Sequence, residues 1–313
     1  MQFHHKLLHL IADNSRWALI AGLAIGILFP QIAGLVKPWV GHWVAVLLFL
    51  AALRIDPKDA LGSREDYKQV AFFIAVFQLL LPSIAAIVFL VMDFTGPFAL
   101  ALLIVFASAP ISGSPSLTMI TGHNPAPALR LLVTSTALLP LTVFIPFSLM
   151  PVIGNPAEVS WIAFRLFLII FSASLAAFLI RRFFMSSPSA RTIKSIDGLT
   201  AIAMAIVVIG LMTGFSEALE NRPLDIPWTL AIVFAVNIGT QILVWYRVKS
   251  QQVGEARASF AVCAGNKNMA IFLAALPATV TDPILLFIAC YQIPMYLTPT
   301  LLGWMYGKLS DQR

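Results

Sequence analysis

The chain consists of apolar runs of membrane-spanning length, separated by short polar segments. A straight transmembrane helix needs about 20 predominantly apolar residues, so this pattern predicts an all-α polytopic membrane protein. We count ten apolar spans, of which the second is short for a straight crossing. The predicted spans cover residues 17–36, 40–53, 69–91, 97–121, 126–150, 160–180, 196–215, 227–247, 258–278 and 284–306.

Two of these spans, the fourth and the ninth, contain residues that a membrane helix tolerates poorly. The fourth contains Ser-Gly-Ser-Pro-Ser-Leu-Thr at 112–118, and the ninth contains Cys-Ala-Gly-Asn-Lys-Asn-Met at 263–269. Gly and Pro favour a break, and an ammonium at bilayer depth costs about 3 kcal/mol or more. Matched interruptions in the two halves of a chain are typical of a secondary transporter's binding site. We therefore expect non-helical backbone near Ser114–Ser116 and Gly265–Lys267, with the two spans crossing there.

The distribution of basic residues predicts the orientation of the spans. If the polar segments alternate between sides, fifteen Lys and Arg residues lie on one side and two on the other. Cytoplasmic loops carry the excess, so both termini are expected in the cytoplasm, which fits an even number of spans. Five spans lie in residues 1–155 and five in residues 156–313. An odd number per half makes the halves inverted repeats, and the interrupted spans take the same position in each.

Composition narrows the class of protein further. Of the 313 residues, 59% are hydrophobic and only 11% charged, against about 25% charged in soluble domains, and the mean hydropathy is +0.90. The net charge of +6 lies in loops, so we expect a lipid bilayer and no nucleic acid as partner. Cys263 and Cys290 both lie in apolar runs without a metal-ligand neighbourhood. No metal or cofactor is therefore expected.

Several stretches resemble motifs of the bile acid:sodium symporter family. The segment 112–116 is similar to that family's Gly-Gly-x-x-Ser-Asn break, Thr134–Pro140 to its Ser-Thr-Leu-Leu-x-Pro segment, and 265–268 to its Gly-Met-Gln-Asn. Ala128-Leu129 matches the start of its Ala-Leu-Ser stretch. The resemblance implies ten spans as two inverted five-helix repeats, with unwound fourth and ninth helices that cross. It also implies panel and core domains, each formed from both repeats, whose relative movement gives alternating access.

The candidate binding residues carry short polar groups at the two breaks or match the family's motifs. A competing interpretation is that these Ser and Asn side chains only satisfy the backbone of broken helices. On the eighth span, Asn237, Thr240 and Gln241 share one face and could line a cavity or hold helices together. Arg165 is interpreted as a side chain that extends outward to the interface. The candidates for substrate or ion binding are Gln78, Ser112, Ser114, Ser116, Thr118, Thr134, Ser135, Gly265, Asn266, Lys267 and Asn268.

The sequence departs from the family at the residues that the resemblance would assign to sodium. Cys263 stands where the family has an acidic ligand, Lys267 where it has Gln, and Leu117 where it has Asn; Gln78 is one position beyond the family's third-span Gln. A thiol and an aliphatic chain are poor ligands for a hard cation, so sodium coupling in the family's manner is not expected. Lys267 could substitute for sodium as a fixed or protonatable charge, pair with an anionic substrate, or act as a structural tether. We expect its ammonium within reach of Ser116, Asn268 or freed carbonyls, facing the substrate cavity.

These observations predict a secondary-active transporter for a small organic anion, in the cell's inner (plasma) membrane. Sodium or a proton remains open as the coupling ion. One alternative is a sodium-coupled symporter with rebuilt sites, and another is a channel or sensor built on the transporter fold. An intramembrane enzyme is not expected, because no acidic residue accompanies a His at estimated mid-depth.

Overall fold

The computed structural model describes residues 2–55, 63–185, 188–248 and 256–307. It is 86% helix, and these ranges contain no strand. The prediction of an all-α fold is confirmed. In lipid, a membrane-spanning segment must pair its own backbone N–H and C=O groups, and a helix does this within the segment.

The helices follow the apolar runs, with additional short helices at breaks and turns. A π-helical turn covers Ala75–Leu80, and a 3₁₀ turn covers Lys37–Trp39. The described α-helices are α1 (Gln2–Asp13), α2 (Ser15–Leu28), α3 (Pro30–Val36), α4 (Val40–Arg54), α5 (Arg64–Ile74), α6 (Leu81–Val91), α7 (Pro97–Ala107), α8 (Ser114–Ile120), α9 (Ala126–Thr142), α10 (Phe144–Ser148), α11 (Pro156–Phe184), α12 (Ala190–Asn221), α13 (Asp225–Arg247), α14 (Ala256–Gly265), α15 (Ile271–Ala275), α16 (Ala278–Thr281) and α17 (Leu285–Gly307).

Seven helical segments among the described residues are long and apolar enough to cross a membrane. The count is eight if the bent pair Lys6–Asp13 and Trp17–Leu28, which meet at 84°, forms one span. The predicted first span, residues 17–36, is not one helix, because α2 ends at Leu28 and α3 starts at Pro30. Pro30 lies in the first turn of its helix, where its missing N–H costs nothing. These helices support a polytopic membrane protein, whereas the count of ten remains a prediction.

The chain forms two compact units. Unit 1 contains residues 1–56, 165–226 and 270–289, and unit 2 contains residues 57–164, 227–269 and 290–313. Each unit draws on both sides of residue 155. The compact units are therefore different from the two predicted repeats, residues 1–155 and 156–313, which are consecutive halves of the sequence. The repeats stay a prediction.

In unit 1, close packing of small residues brings α2 and α4 against α12. A Cβ added to Gly22 would lie 2.9 Å from the carbonyl oxygen of Ala205, so glycine permits this backbone approach. Arg54 at the end of α4 forms an ion pair with Asp197 on α12. Both contacts fix α12 at the centre of this unit.

In unit 2, the first half of the interrupted ninth span lies in the middle of the core. Helix α14 is buried along its length apart from the partly exposed Arg257. Its Phe260 packs on Phe73 of α5, with ring centroids 5.1 Å apart. The guanidinium of Arg257 stacks over Trp245 of α13, 4.2 Å from the ring centroid. These contacts hold α14 so that its C-terminal end lies inside the protein.

Candidate functional site at the helix crossing

The fourth span is broken, but at a different place from the one predicted. Helix α7 ends at Ala107, residues 108–113 are non-helical, and α8 begins at Ser114. Placing the break at Ser114–Ser116 was therefore wrong. Pro115 occupies the first turn of α8, where proline is favoured. Pro110 is the proline that prevents continuation of α7, because it lacks an N–H and disfavours helix at the residue before it.

The ninth span is interrupted close to the predicted position. Helix α14 ends at Gly265, residues 266–270 are non-helical, and α15 begins at Ile271. The prediction is confirmed for Asn266 and Lys267, while Gly265 is the last helical residue. A Cβ on Gly265 would lie 2.3 Å from the carbonyl oxygen of Asn237, so glycine also allows α13 to approach here.

The two broken segments cross and pair through their backbones. The N–H of Ile111 donates to the carbonyl of Asn266 at 2.9 Å, and the N–H of Asn268 donates to the carbonyl of Ala109 at 2.8 Å. These bonds form an isolated antiparallel bridge centred on Pro110 and Lys267. Unpaired backbone groups are costly away from water, so each break satisfies the other. The predicted crossing is confirmed, at residues 109–111 and 266–268.

Lys267 is buried at this bridge. The residue is 4% exposed, and its ammonium donates to the carbonyl of Ser108 at 3.1 Å. That carbonyl follows the last turn of α7, where the helix dipole favours a positive charge. Lys267 forms no ion pair within the described ranges. A freed carbonyl thus holds the ammonium, as predicted, whereas no bond joins it to Ser116 or Asn268.

Cys263 and Ser114 lie beside the lysine. The thiol of Cys263 is fully buried and lies next to the Ser114 hydroxyl and near the Lys267 ammonium. Ser114 Oγ has no nitrogen or oxygen partner among the described residues. The backbone carbonyl of Ser114 accepts a bond from Thr118 at 2.9 Å. The Ser114 hydroxyl therefore has hydrogen-bonding capacity that no nitrogen or oxygen atom of the described residues uses.

Side chains from α13 and α17 satisfy the carbonyl at the end of α14. The Gly265 carbonyl accepts hydrogen bonds from Asn237 Nδ2 and from the Tyr291 hydroxyl, both at 2.6 Å. Thr240 Oγ1 lies 3.4 Å from the Ala264 carbonyl. Of the two interpretations of the eighth-span polar face, the structure favours the one in which it holds helices together.

A buried chain of hydrogen bonds extends from this point. Gln241 Nε2 donates to Asn237 Oδ1 at 2.9 Å and to Thr298 Oγ1 at 3.2 Å. Thr298 donates to Asn266 Oδ1 at 3.1 Å, and the Tyr306 hydroxyl donates to Gln241 Oε1 at 2.9 Å. Because these groups are buried and mutually satisfied, they fix the orientation of the ninth-span break.

Gln78 and Ser135 meet at a second polar cluster in unit 2. Gln78 lies in the π-helical turn, a feature often found at functional sites. Its amide donates to the Ser135 carbonyl and to Thr142 Oγ1, both at 2.9 Å. Pro140 lies within the last turn of α9, beside these residues. Ser135 Oγ is buried without a partner among the described residues.

The structure brings together only part of the predicted site. Ser114, Gly265, Asn266 and Lys267 lie at the crossing, and Asn268 joins it through its backbone. Gln78 of the π-helical turn and Ser135 of α9 form the separate cluster. Of the remaining candidates, Ser112 lies within the fourth-span break, Ser116 and Thr118 lie on α8, and Thr134 lies on α9. Ser112, Ser116 and Thr134 are partly exposed.

Sequence reasoning missed several residues that build the crossing. Ser108 supplies the acceptor for Lys267, and Pro110 ends α7. Tyr291 and Thr298 come from α17, far along the chain. Pro110 carried a signal, since a proline inside an apolar run predicts an interruption. Nothing in the sequence distinguishes Tyr291 from an ordinary aromatic residue of a buried helix.

Comparison with known proteins adds no relative. No family model matches the chain, and no curated protein matches it.

Proposed function

We propose that the chain is a secondary transporter that moves a small organic anion across the membrane by alternating access. The observation that carries the proposal is the backbone bridge between two broken membrane segments, with Lys267 buried in it. In this proposal ten spans form two inverted five-helix repeats. Both termini lie in the cytoplasm of a cell bounded by its inner (plasma) membrane, as the charge bias favours.

A substrate anion would satisfy groups that the crossing leaves unused. Lys267 has three donors, of which the Ser108 carbonyl accepts one. Ser114 Oγ adds a hydroxyl without a nitrogen or oxygen partner within the described ranges. Intramembrane ionisable residues usually mark substrate or ion pathways. No side-chain carboxylate among the described residues compensates the charge of the buried ammonium. The carboxylate of a substrate that entered the crossing would do so.

A recurring pair of residues supports the repeat within this proposal. In the third predicted span Gln78 donates to Thr142 of the fifth at 2.9 Å. In the eighth span Gln241 donates to Thr298 of the tenth at 3.2 Å. The same residue types therefore join corresponding helices in each half of the chain.

The chemistry of the crossing argues against sodium as the required coupling ion. Cys263 and Leu117 offer no oxygen ligand, and the Ser108 carbonyl already accepts from an ammonium. A cation placed near Lys267 would be repelled by it. The proposed carrier is therefore driven by protons or relies on the lysine's own charge in place of sodium.

Uptake by the purified chain in liposomes tests the proposal. The probes are radiolabelled pyruvate, benzoate and taurocholate, each supplied with and without the same unlabelled anion inside. A carrier gives uptake that saturates with concentration and that the internal anion accelerates by exchange. Flux that stays linear and shows no exchange would indicate a channel, and no flux of any probe would also contradict the proposal.

A further inference from the structure

A cavity within unit 1 is built from residues that the crossing does not use. It has a volume of about 810 Å³ and is bounded by α4, α11, α12 and the segment 273–285. Cavities of roughly 300–1,000 Å³ accept small organic ligands. This cavity therefore has the size of a binding site for such a molecule.

Its wall is mostly aliphatic. Helix α4 contributes Val40 and Ala45, α11 contributes Leu168 and Ile169, and α12 contributes Leu211. Gly41 lies where a Cβ would be 3.1 Å from the Cα of Ala274, so α4 and α15 approach closely at its edge. An apolar body of a ligand would lose water contact against this wall.

The charged residues that line the cavity carry one more positive than negative charge. Lys37 pairs with Asp282 at 3.0 Å, so these two lining residues compensate each other. Arg165 has no carboxylate partner within the described residues, and its guanidinium donates to the Ala274 carbonyl at 3.3 Å. A guanidinium carries five N–H donors. Arg165 is partly buried and lines the cavity, and its extension outward to the interface stays a prediction.

We propose that this cavity binds an amphipathic organic anion, with its acidic head on Arg165 and its aliphatic body against α4, α11 and α12. Arg165 presents the paired donors that match a carboxylate or phosphate. The His42 imidazole is a further polar group of the lining. The inference does not depend on transport, since none of its residues belongs to the crossing.

Two sources could supply such an anion, a free fatty-acid-like molecule or an anionic lipid. The full chain in phosphatidylcholine nanodiscs, with empty nanodiscs subtracted, is tested for binding of radiolabelled decanoate. Decanol serves as the neutral competitor of the same length. A second set of nanodiscs contains phosphatidylglycerol; loss of decanoate binding there identifies the lipid as the occupant, and retained binding identifies the free anion.

Variants then locate the binding. Arg165→Gln should weaken decanoate binding about tenfold or more, the loss expected for a charge-assisted hydrogen bond. Arg222→Gln is the matched control, because Arg222 also belongs to unit 1 but is exposed and pairs with Asp225 at 3.6 Å. Ala45→Phe should also weaken binding, because its ring would occupy part of the space beside α4 without changing the charge.

The proposal is overturned if decanol competes as well as unlabelled decanoate. It is also overturned if Arg165→Gln binds like Arg222→Gln, or if Ala45→Phe binds like the unaltered chain. Should Arg165→Gln fail to fold, Ala45→Phe decides the matter alone.

Discussion

At the scale of single residues, Lys267 is the feature that most needs a physical explanation. Moving an ammonium from water into the protein costs several kcal/mol. Among the described residues, the Lys267 ammonium is compensated by one hydrogen bond to a neutral carbonyl, that of Ser108 just after α7. A structural tether to that carbonyl could use a neutral donor at a lower desolvation cost. The charge is therefore better explained by binding than by stability.

Replacing the charge separates these interpretations. Lys267→Gln keeps a donor that can reach toward Ser108 and removes the buried charge, so we expect no loss of thermal stability. Uptake should fall about tenfold or more, as for loss of an interaction worth ~1.4 kcal/mol. Thermal unfolding in detergent and uptake in liposomes are measured on the same preparation.

Lys68→Gln is the matched control for this substitution. Lys68 belongs to the same unit but is exposed, with its ammonium 3.1 Å from Glu65. Surface pairs of this kind contribute about 0–1 kcal/mol, so both stability and uptake should be unchanged. If Lys267→Gln lowers stability and leaves the uptake of the surviving protein normal, Lys267 is a tether.

At the scale of helices, the two breaks are stabilised by different means. Carbonyls at the end of α14 accept from side chains of α13 and α17, whereas the end of α7 depends on Lys267 and on the backbone of the other break. The ninth-span break is thus supported by a buried network. The fourth-span break is supported mainly by the crossing itself.

Because α13 approaches α14 closely at Gly265, a larger residue there is expected to lower the stability of the protein. Gly265→Ala places a Cβ within 2.3 Å of the Asn237 carbonyl oxygen and 2.5 Å of Gln241 Cγ. The helices must separate and the network must lengthen, so we expect a loss of about 1–3 kcal/mol, typical of overpacking. The measurement is the free energy of unfolding in detergent with added denaturant.

Gly239→Ala on α13 is the control, because nothing lies within 4 Å of its added Cβ. This substitution should leave stability unchanged or raise it by up to ~1 kcal/mol through helix propensity. Equal effects at the two glycines would show that the contact between α13 and α14 is not tight.

Sequence predicted the elements better than their ends. Hydropathy identified the helices because lipid demands long apolar segments with paired backbones. It placed the fourth-span break about a turn too late, because a proline can either stop a helix, as Pro110 does, or begin one, as Pro115 does. The α13 residues Asn237 and Gln241 were recognised as polar, but which groups they bond depends on helices distant in sequence.

At the scale of the whole molecule, Lys267 could be recognised from the sequence as a candidate site residue, whereas the unit 1 cavity could not. A lysine inside an apolar run stands out in one sequence. The cavity is formed by residues between 37 and 285 that are individually ordinary, and only folding brings Arg165 to it. Neither compact unit corresponds to one half of the chain, so domains cannot be inferred from chain order alone.

The central claim is that an anion carrier here works with Lys267 in place of sodium ligands. Its most direct test is the initial rate of uptake of the carried anion when sodium chloride is replaced by choline chloride on both sides of the liposome membrane. The account predicts a rate unchanged within about twofold, below the roughly 5- to 150-fold typical of coupling between ligand sites. Complete loss of uptake in choline would contradict it, by showing that carbonyls and hydroxyls had rebuilt a sodium site beside the lysine.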